Sequence, residues 1–505
     1  MVGFNEVPQS YRASKIFVEL AGVRRSLASL FIPPTLALVG MYDPLKTSTV
    51  DYAPVQVISA DDVGDKAGFG SHAHRQALKI KPSVFSQGGG VWWFPIPEES
   101  GGTAATEDIT ITGAATSSGT LFFSIGGVLI QVAVANGDAL GDVAADIVTA
   151  ITAEHNIAVT ASAALGVAKV TAKFKGTAGN QILIKQNPGG DTQESQAPAG
   201  ITVALSVVGG YLATGATDPD LEDMFFDSGG DDNLGGRWYT QMTMPFNDAT
   251  NIAHYKNSTN KRAAADTNRM YVAYTSYIKE TYAEALALPA TLNGKFISPS
   301  WDNRAEYPAF EICAEIAGIV ADEGNKAPNR PYKTLALSGP ANSAVDNLKD
   351  SQYDALFRAG MSYTKISADG TLRLGDIALS YRTNDSGGAT TEWFAAVDAH
   401  NRQAKAYSIE NAFNTDKYQR SVVQADGDPP SAVNFSIRPS DVIAELQKLV
   451  LDLWARYSWS KNIEEILEDI SANINAGNDE RIDGEAIDDQ AKALRIIAVR
   501  YGYLY

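Results

Sequence analysis

A chain of 505 residues with 45% hydrophobic and 20% charged residues has the composition of a globular protein, and it is too long for a single core, so about three domains are expected. With 59 acidic against 41 basic residues and a formal charge of -18, a phosphate-binding surface would have to work against the overall field, which argues against direct nucleic-acid binding. The single cysteine, Cys313, leaves no disulfide framework within the chain and suits a reducing compartment.

Glu6 and Glu19 interrupt any early apolar run, so no signal peptide is read at the start. Arg24 and Arg25 precede SLASLF without the basic leader of an export signal, and Pro33 and Pro34 cut that run well below a membrane span. The expectation is a soluble, cytosolic protein with no membrane insertion.

Residues 1–25 read as an extended N-terminal arm, polar at first and then alternating as a short strand over Ile16, Phe17, Val18, Glu19 and Leu20. Residues 26–102 open an α/β core, with LALVGM (Leu36 to Met41) as a buried strand, a helix over Ser71–Ile80, and the apolar stretch GGGVWWFPIP. Between 103 and 212 the composition turns to Ala, Thr, Gly and Val in short alternating strands, with one helix over Asp138–Ala153 carrying Leu140, Val143, Ile147, Val148 and Ile151 at helical spacing. This β-rich unit reads as an insertion into a loop of the core, which exposed loop tips tolerate because the ends of the insert lie close together.

From 213 to 375 the α/β pattern of residues 26–102 resumes. WYTQMTMPF, MYVAYTS, FISPS and KTLALSG read as strands, and Asp248–Asp266, Lys279–Leu288 and Ala309–Ala321 as helices, an alternation that implies parallel strands covered by helices. Residues 376–505 form a C-terminal α+β domain. In it LRLGDIALSYRT and EWFAAVDAHNR flank NDSGGATT as a long hairpin or crossover, Ser440 caps the helix DVIAELQKLVLDLWARY with Asp441 at its positive end, and INAGNDERIDGEAIDD is a polar loop. The chain ends in LRIIAVRYGYLY, which places Ile497, Val499, Tyr501, Tyr503 and Tyr505 on one face of a strand. Such a strand either packs within its own domain or joins the sheet of a neighbouring copy.

Catalytic constellations are scarce. His72 and His74 share a face only if the segment is a strand, and no carboxylate or cysteine stands beside them. GFGS from Gly68 lacks the third glycine of a dinucleotide fingerprint, and there is no Gly-Lys-Ser/Thr nucleotide loop. In Asp479–Gln490, Gly484 fits a calcium loop, but Arg481 and Gln490 stand at ligand positions; Asp227, Asp231 and Asp232 read as a solvated loop. Cys313 sits on the apolar side of a helix, and Trp92 and Trp93 read as core aromatics in preference to a sugar platform. No catalytic residue, metal ligand or cofactor is assigned.

Taken in order, FNEVPQSYRASKIFVEL, LALVGM, FGSHAHRQALK, VWWFPIP, GTLFFSIGGVLIQVAV, FKGTAGNQI, GATDPDL and the ending QAKALRIIAVRYGYLY resemble the contractile tail sheath proteins of Mu-like bacteriophages over nearly the whole length. The resemblance implies a central subtilisin-like α/β core, and no serine-protease triad signature surrounds Ser338 or Ser343. It also implies a virion protein, assembled in the host cytoplasm into hexameric rings in a helical array around a tail tube, with baseplate and tail terminator proteins as further partners. Contraction would drive the tube through the host envelope and draw its energy from new subunit contacts, so no nucleotide loop is needed. Subunits would be joined by strand addition. The terminal strand with Ile497, Val499, Tyr501 and Tyr503 would build the C-terminal sheet, and Ile16 to Leu20 of another subunit would invade it. The alternatives are a surface protein whose β-rich insertion binds carbohydrate and a hydrolase-like α/β enzyme. A sheath would be expected to assemble without residues 103–212, whereas a lectin would lose binding.

Overall fold

The computed structural model describes residues 31–46, 48–188, 197–342, 345–429 and 435–495. The LALVGM run lies in β1 (Thr35–Met41), buried at all seven positions. Continuous hydrophobicity suits a strand covered on both faces, and the two faces divide cleanly: Leu36 and Leu38 enter one apolar cluster, and Ala37, Val39 and Met41 enter another. β2 (Val55–Val57) and β3 (Gly90–Ile96) follow. β3 runs parallel to β1 from Thr35 opposite Gly90 to Met41 opposite Ile96, and β2 closes that edge antiparallel.

The next seven strands are β4 (Ala104–Gly113), β5 (Gly119–Ile125), β6 (Val128–Val134), β7 (Val159–Ala164), β8 (Val167–Lys175), β9 (Ile184–Gln186) and β10 (Ile201–Leu205). They form two antiparallel sheets, ordered β10-β4-β8-β7 and β6-β5-β9. β4 alternates between buried and half-exposed positions as a one-sided sheet requires. The helix Leu140–Ala153 buries Val143, Ala144, Ile147 and Ile151, three of which belong to the stripe expected from the sequence.

The chain then returns to the first sheet with β11 (Gln241–Thr243), β12 (Val272–Tyr277), β13 (Ile297–Trp301), β14 (Ser362–Ile366) and β15 (Leu372–Leu374). The full order is β15-β14-β13-β12-β11-β1-β3-β2, with six parallel strands and an antiparallel strand at each edge. The covering helices start where capping chemistry permits. Asp248 accepts from the N–H groups of Thr250 and Asn251 ahead of Ala249–Arg262, and Thr281 and Glu284 satisfy each other's backbone ahead of Tyr282–Leu292.

KTLALSG does not supply the next parallel strand. Thr334 takes φ +69, a left-handed conformation that interrupts an extended run, and the segment lies antiparallel beside β15 as an isolated bridge, Ala336 opposite Arg373, with backbone bonds between Thr334 and Leu374 and between Leu337 and Leu372. The parallel neighbour of β13 is β14, reached through the helix Asp350–Ala359.

The C-terminal unit contains β16 (Val422–Val423) parallel to β17 (Ser436–Ile437), and β18 (Ser471–Asn475) antiparallel to β19 (Asn478–Glu485). The expected polar loop is therefore a hairpin over much of its length. Gly477 donates its N–H to Asn475 Oδ1 at the turn, and Ile474 pairs with Ile482. The segments LRLGDIALSYRT and EWFAAVDAHNR pair antiparallel around NDSGGATT through isolated bridges, Ala378 to Ala395 and Thr383 to Ala389, before the second of them enters the helix Ala396–Phe413. Ser440 does not cap the next helix, which begins at Pro439. The Asp441 carboxylate accepts the Arg438 N–H at 3.0 Å, and the Ser440 hydroxyl donates to Asp426. That helix runs to Leu449 and continues as a π-helical turn through Ala455.

One apolar cluster runs without a break from the core sheet into the β-rich unit, joining Phe94, Met242, Phe246 and Trp301 to Ile109, Phe123, Ile147 and Phe174. Polar contacts cross the same boundary. Arg75 donates from Nε to Glu311 at 2.7 Å, from Nη1 to the Asn156 carbonyl and from Nη2 to the Gly126 carbonyl, and Lys185 pairs with Glu306 at 2.7 Å. A separate cluster, including Leu446, Leu453, Trp454 and Trp459, organises the C-terminal unit.

Candidate functional site

Strand order in the large sheet reverses between β1 and β11, and the carboxyl end of such a switch point is where doubly wound sheets bind ligands. Here that position is filled by side chains. The Met41 N–H donates to His72 Nδ1 at 3.3 Å, and the His72 ring lies against Phe310, Phe246 and Phe174, with centroids 4.5, 5.2 and 5.2 Å away. Phe174 comes from β8, so the β-rich unit supplies part of the plug. Burial pushes His72 down to about 3 and keeps it neutral.

His72 and His74 lie on a helix, His72–Ala77, not on a strand, and so do not converge as a ligand pair. His74 Nδ1 accepts from the Gly70 N–H at 3.0 Å. Burial first, and Arg75 beside it second, push its ionisation down to about 4.

A second polar group sits at the end of β13. The Ser300 hydroxyl donates to Asp302 and lies 2.7 Å from the Ser276 hydroxyl. Asp302 is fully buried, which pushes its carboxyl up to about 6 against the pull of Ser300, Thr364 and Arg304. No histidine completes a relay among the contacts of this group. The Cys313 thiol donates to the Phe310 carbonyl at 3.1 Å and is buried, which pushes its ionisation far up. The Ser338 N–H donates to Glu315, and Ser343 lies outside the described residues.

Gly68 ends the helix Ala60–Ala67 with φ +94, which is a helix terminus and not the strand-to-helix turn of a dinucleotide site. Asp231 and Asp232 pair with Lys261 and Arg262, and Asp227 accepts from the Gly229 and Asp231 N–H groups, so the loop there is tied by its own charges. Asp479 and Gly484 lie within β19, which removes the calcium-loop geometry. Trp93 is buried and donates to the Gly40 carbonyl, while Arg237 stacks 3.5 Å over Trp92. Neither ring is free for a sugar.

The residues expected to exchange between subunits, Ile16, Phe17, Val18, Glu19, Leu20, Ile497, Val499, Tyr501 and Tyr503, lie outside the described residues. The positions next to them are described. Phe31 packs edge-on against Tyr457 and Trp459 of the C-terminal unit, with centroids 5.1 and 5.7 Å away. At the other end Lys333 donates to the Leu494 carbonyl at 2.9 Å, and Arg495 donates to Asp376 at 2.5 Å while lying over the Phe357 ring. Arg495 also lines a surface groove of about 840 Å³ with Leu286, Phe357, Arg382 and Phe394. The C-terminal unit carries exposed Val422, Phe435, Leu451 and Ile487.

Sequence reasoning missed the buried Arg75, Asp302 and His400, because charged and polar residues in core positions carry no periodic signal. The Tyr274 hydroxyl and His400 Nε2 lie 2.9 Å apart across the junction between the sheet and the helix Ala396–Phe413, a contact that only the fold creates.

Fold and site together define a multidomain α/β protein whose usual ligand crevice is occupied by its own aromatic side chains. No family model matches the chain. It is similar to the Mu-like prophage FluMu tail sheath protein of Haemophilus influenzae, at 23% identity over 455 residues, covering 90% of this chain and 89% of that relative. The likeness to tail sheath proteins of Mu-like phages thus extends along nearly the whole chain. Among solved structures, it is similar to the sheath tail protein of Desulfitobacterium hafniense (11% identity, 94% of this chain and 100% of that one, TM-score 0.45) and to the sheath tail protein of Listeria innocua (11% identity, 92% and 98%, TM-score 0.47). It is also similar to the helical sheath of the anti-feeding prophage in its contracted state (13% identity, 52% and 69%, TM-score 0.36). No helix among the described residues is long and apolar enough to cross a membrane.

Proposed function

We propose that this chain is a structural subunit of a contractile phage tail sheath, which polymerises around a tail tube and shortens to drive that tube through a host envelope. The observation that carries the reading is the similarity to a tail sheath protein along 90% of the chain. The packed switch point and the buried Cys313 and Asp302 favour a role in which the fold transmits force and catalyses nothing. The six parallel strands between helices agree with a subtilisin-like α/β core, although a shared fold would not carry proteolysis with it.

In this reading the sheath is built of hexameric rings in a helical array, assembled in the host cytoplasm and carried in the virion, with tube, baseplate and terminator proteins as partners. The domains are an arm over 1–25, a core over 26–102 and 213–375, an insertion over 103–212 and a C-terminal domain over 376–505. Neighbours are joined by strand addition, with Ile16 to Leu20 of one copy entering the C-terminal domain of the next beside Ile497, Val499, Tyr501 and Tyr503. Phe31, the first described residue, lies on the C-terminal unit of its own chain.

Electron microscopy of the purified chain at high concentration tests the assembly, with hollow tubes or rings as the expected result. A chain lacking residues 1–20 should keep its circular dichroism and melt cooperatively yet form no tubes, since the loss is of main-chain bonds between copies. Full-length protein that stays monomeric at every concentration would overturn the sheath reading. Tubes from the truncated chain would overturn only the exchange.

A further inference from the structure

We propose that Asp220, Glu222 and His254 form a divalent transition-metal site, with Zn²⁺ as its best-fitting occupant, where the chain returns from the β-rich unit to the α/β core. Asp220 follows Asp218 and Pro219, Glu222 opens the short helix Glu222–Phe225, and His254 lies on the helix Ala249–Arg262. One ligand atom from each of the three falls within 4.8 Å of the others.

Asp220 Oδ1 stands 2.9 Å from His254 Nε2. That nitrogen is shut off from solvent and makes no directed hydrogen bond, although the carboxylate faces it. Tetrahedral Zn²⁺ with ligands at about 2.0–2.2 Å separates neighbouring donor atoms by about 3.3–3.6 Å, so two of the three already stand near the required spacing. Glu222 is exposed and forms no ion pair among the described residues, and rotation of its side chain supplies the remaining approach.

The backbone beneath the site is held in place. Asn251, one helical turn before His254, accepts the Leu221 N–H at 3.1 Å and donates to the Pro219 carbonyl at 2.9 Å. Asp220 and Glu222 are thereby fixed against the helix face that presents the imidazole. Charge in the neighbourhood also favours a cation: after burial, Asp223, Asp51, Asp220 and Glu99 all push the ionisation of nearby Tyr52 upward. Two carboxylates and one imidazole make a hard-to-borderline donor set, suited to Zn²⁺ or Mn²⁺ and poor for soft ions. An open position on the solvent side would be filled by water, so the bound ion would clasp the return segment to the helix. The sequence carries no motif for this set, because 32 positions separate Glu222 from His254.

Isothermal titration of the full-length, chelator-stripped chain with Zn²⁺ tests the site, alongside E222Q and H254Q proteins whose folding is checked by circular dichroism. The expected result is one site per chain, weakened more than about tenfold by either substitution, with the melting temperature rising on Zn²⁺ addition in the native chain and not in the variants. Absence of binding overturns the proposal, as does binding of equal strength and stoichiometry in both folded variants. Because H254Q loses a partly buried ring, E222Q, at an exposed position, decides the matter if H254Q alone misfolds.

Discussion

Arg75 shows how much a single residue holds at the boundary between core and insertion. Its guanidinium reaches Glu311 on one side and the Asn156 and Gly126 carbonyls on the other, while its side chain and that of Glu311 are 5% and 0% exposed. Replacing Arg75 with Ala leaves a buried carboxylate with only Lys79 at 3.6 Å, and removing one partner of a buried pair costs about 3–5 kcal/mol. Urea unfolding should show R75A less stable by about 3 kcal/mol, with R75A/E311Q recovering part of the loss.

The ionisable core also sets a pH dependence. His72 and His400 are held to about 3 and His74 to about 4, below the ordinary 6.5, chiefly by burial. As pH falls below 6.5 the unfolded chain takes up these protons first, so stability is whole above 6.5 and is lost progressively down to about 3. Asp302 acts in the opposite sense. Its folded value of about 6 exceeds the ordinary 3.8, so its contribution is full below 3.8 and is lost as pH rises through 6. From that shift, the advantage of Asp302 over D302N should shrink by about 1.4 kcal/mol between pH 5 and 7.5. Parallel pH profiles of the two proteins would refute this if the difference stayed constant.

At the scale of elements, β1 is the strand on which both faces of the core depend. Gly40 sits where the helix His72–Ala77 crosses it, and a Cβ there would stand 2.7 Å from Ala73 Cα, while Gln76 Nε2 donates to the Val39 carbonyl. Backbone against backbone cannot yield by rotating a side chain. G40A should therefore destabilise by about 1–3 kcal/mol, seen as a lowered urea midpoint with an unchanged slope.

The helix Ala396–Phe413 obeys a different logic. It buries Asn401, Gln403, Lys405 and Ser408 along with Ala399 and Ala404. Several of its polar groups find partners across the junction: Gln403 donates to the Thr240 and Met270 carbonyls, Asn401 to the Trp459 carbonyl, and Lys405 pairs with Asp488. A helix surrounded by partners needs no apolar stripe, so no 3.6-residue period marks it. The hairpin β18–β19 escapes for the converse reason, since β19 is exposed at every position except Ile482 and shows no alternation.

At the scale of the whole molecule, the continuous core alters the consequence expected for the insertion. Excising residues 103–212 would remove Phe174 from the plug around His72, strip Arg75 of two carbonyl partners and expose Phe246 and Phe310. The shortened chain should aggregate or melt without cooperativity when followed by circular dichroism and scanning calorimetry. A soluble, cooperatively folding product would show that the two regions are energetically separate. The β-rich unit shares its core with the large sheet, while Phe31 packs on the C-terminal unit and Arg495 lies against Phe357 and Asp376.

By itself the sequence determined the α/β alternation, the parallel order implied by buried strands such as LALVGM and FISPS, the Ala/Thr-rich character of the β unit, and the ordered resemblance to tail sheath proteins. Those features are local, carried by hydrophobic period and composition within a short window. Only the tertiary structure decided that His72 plugs the switch point, that Arg75 ties the insertion to the core, that Ala396–Phe413 is a buried polar helix, and that Asp220, Glu222 and His254 converge. Each of these depends on which side chain from a distant segment satisfies a buried charge, ring or amide, and that pairing energy is set by three-dimensional proximity, which no window of sequence contains.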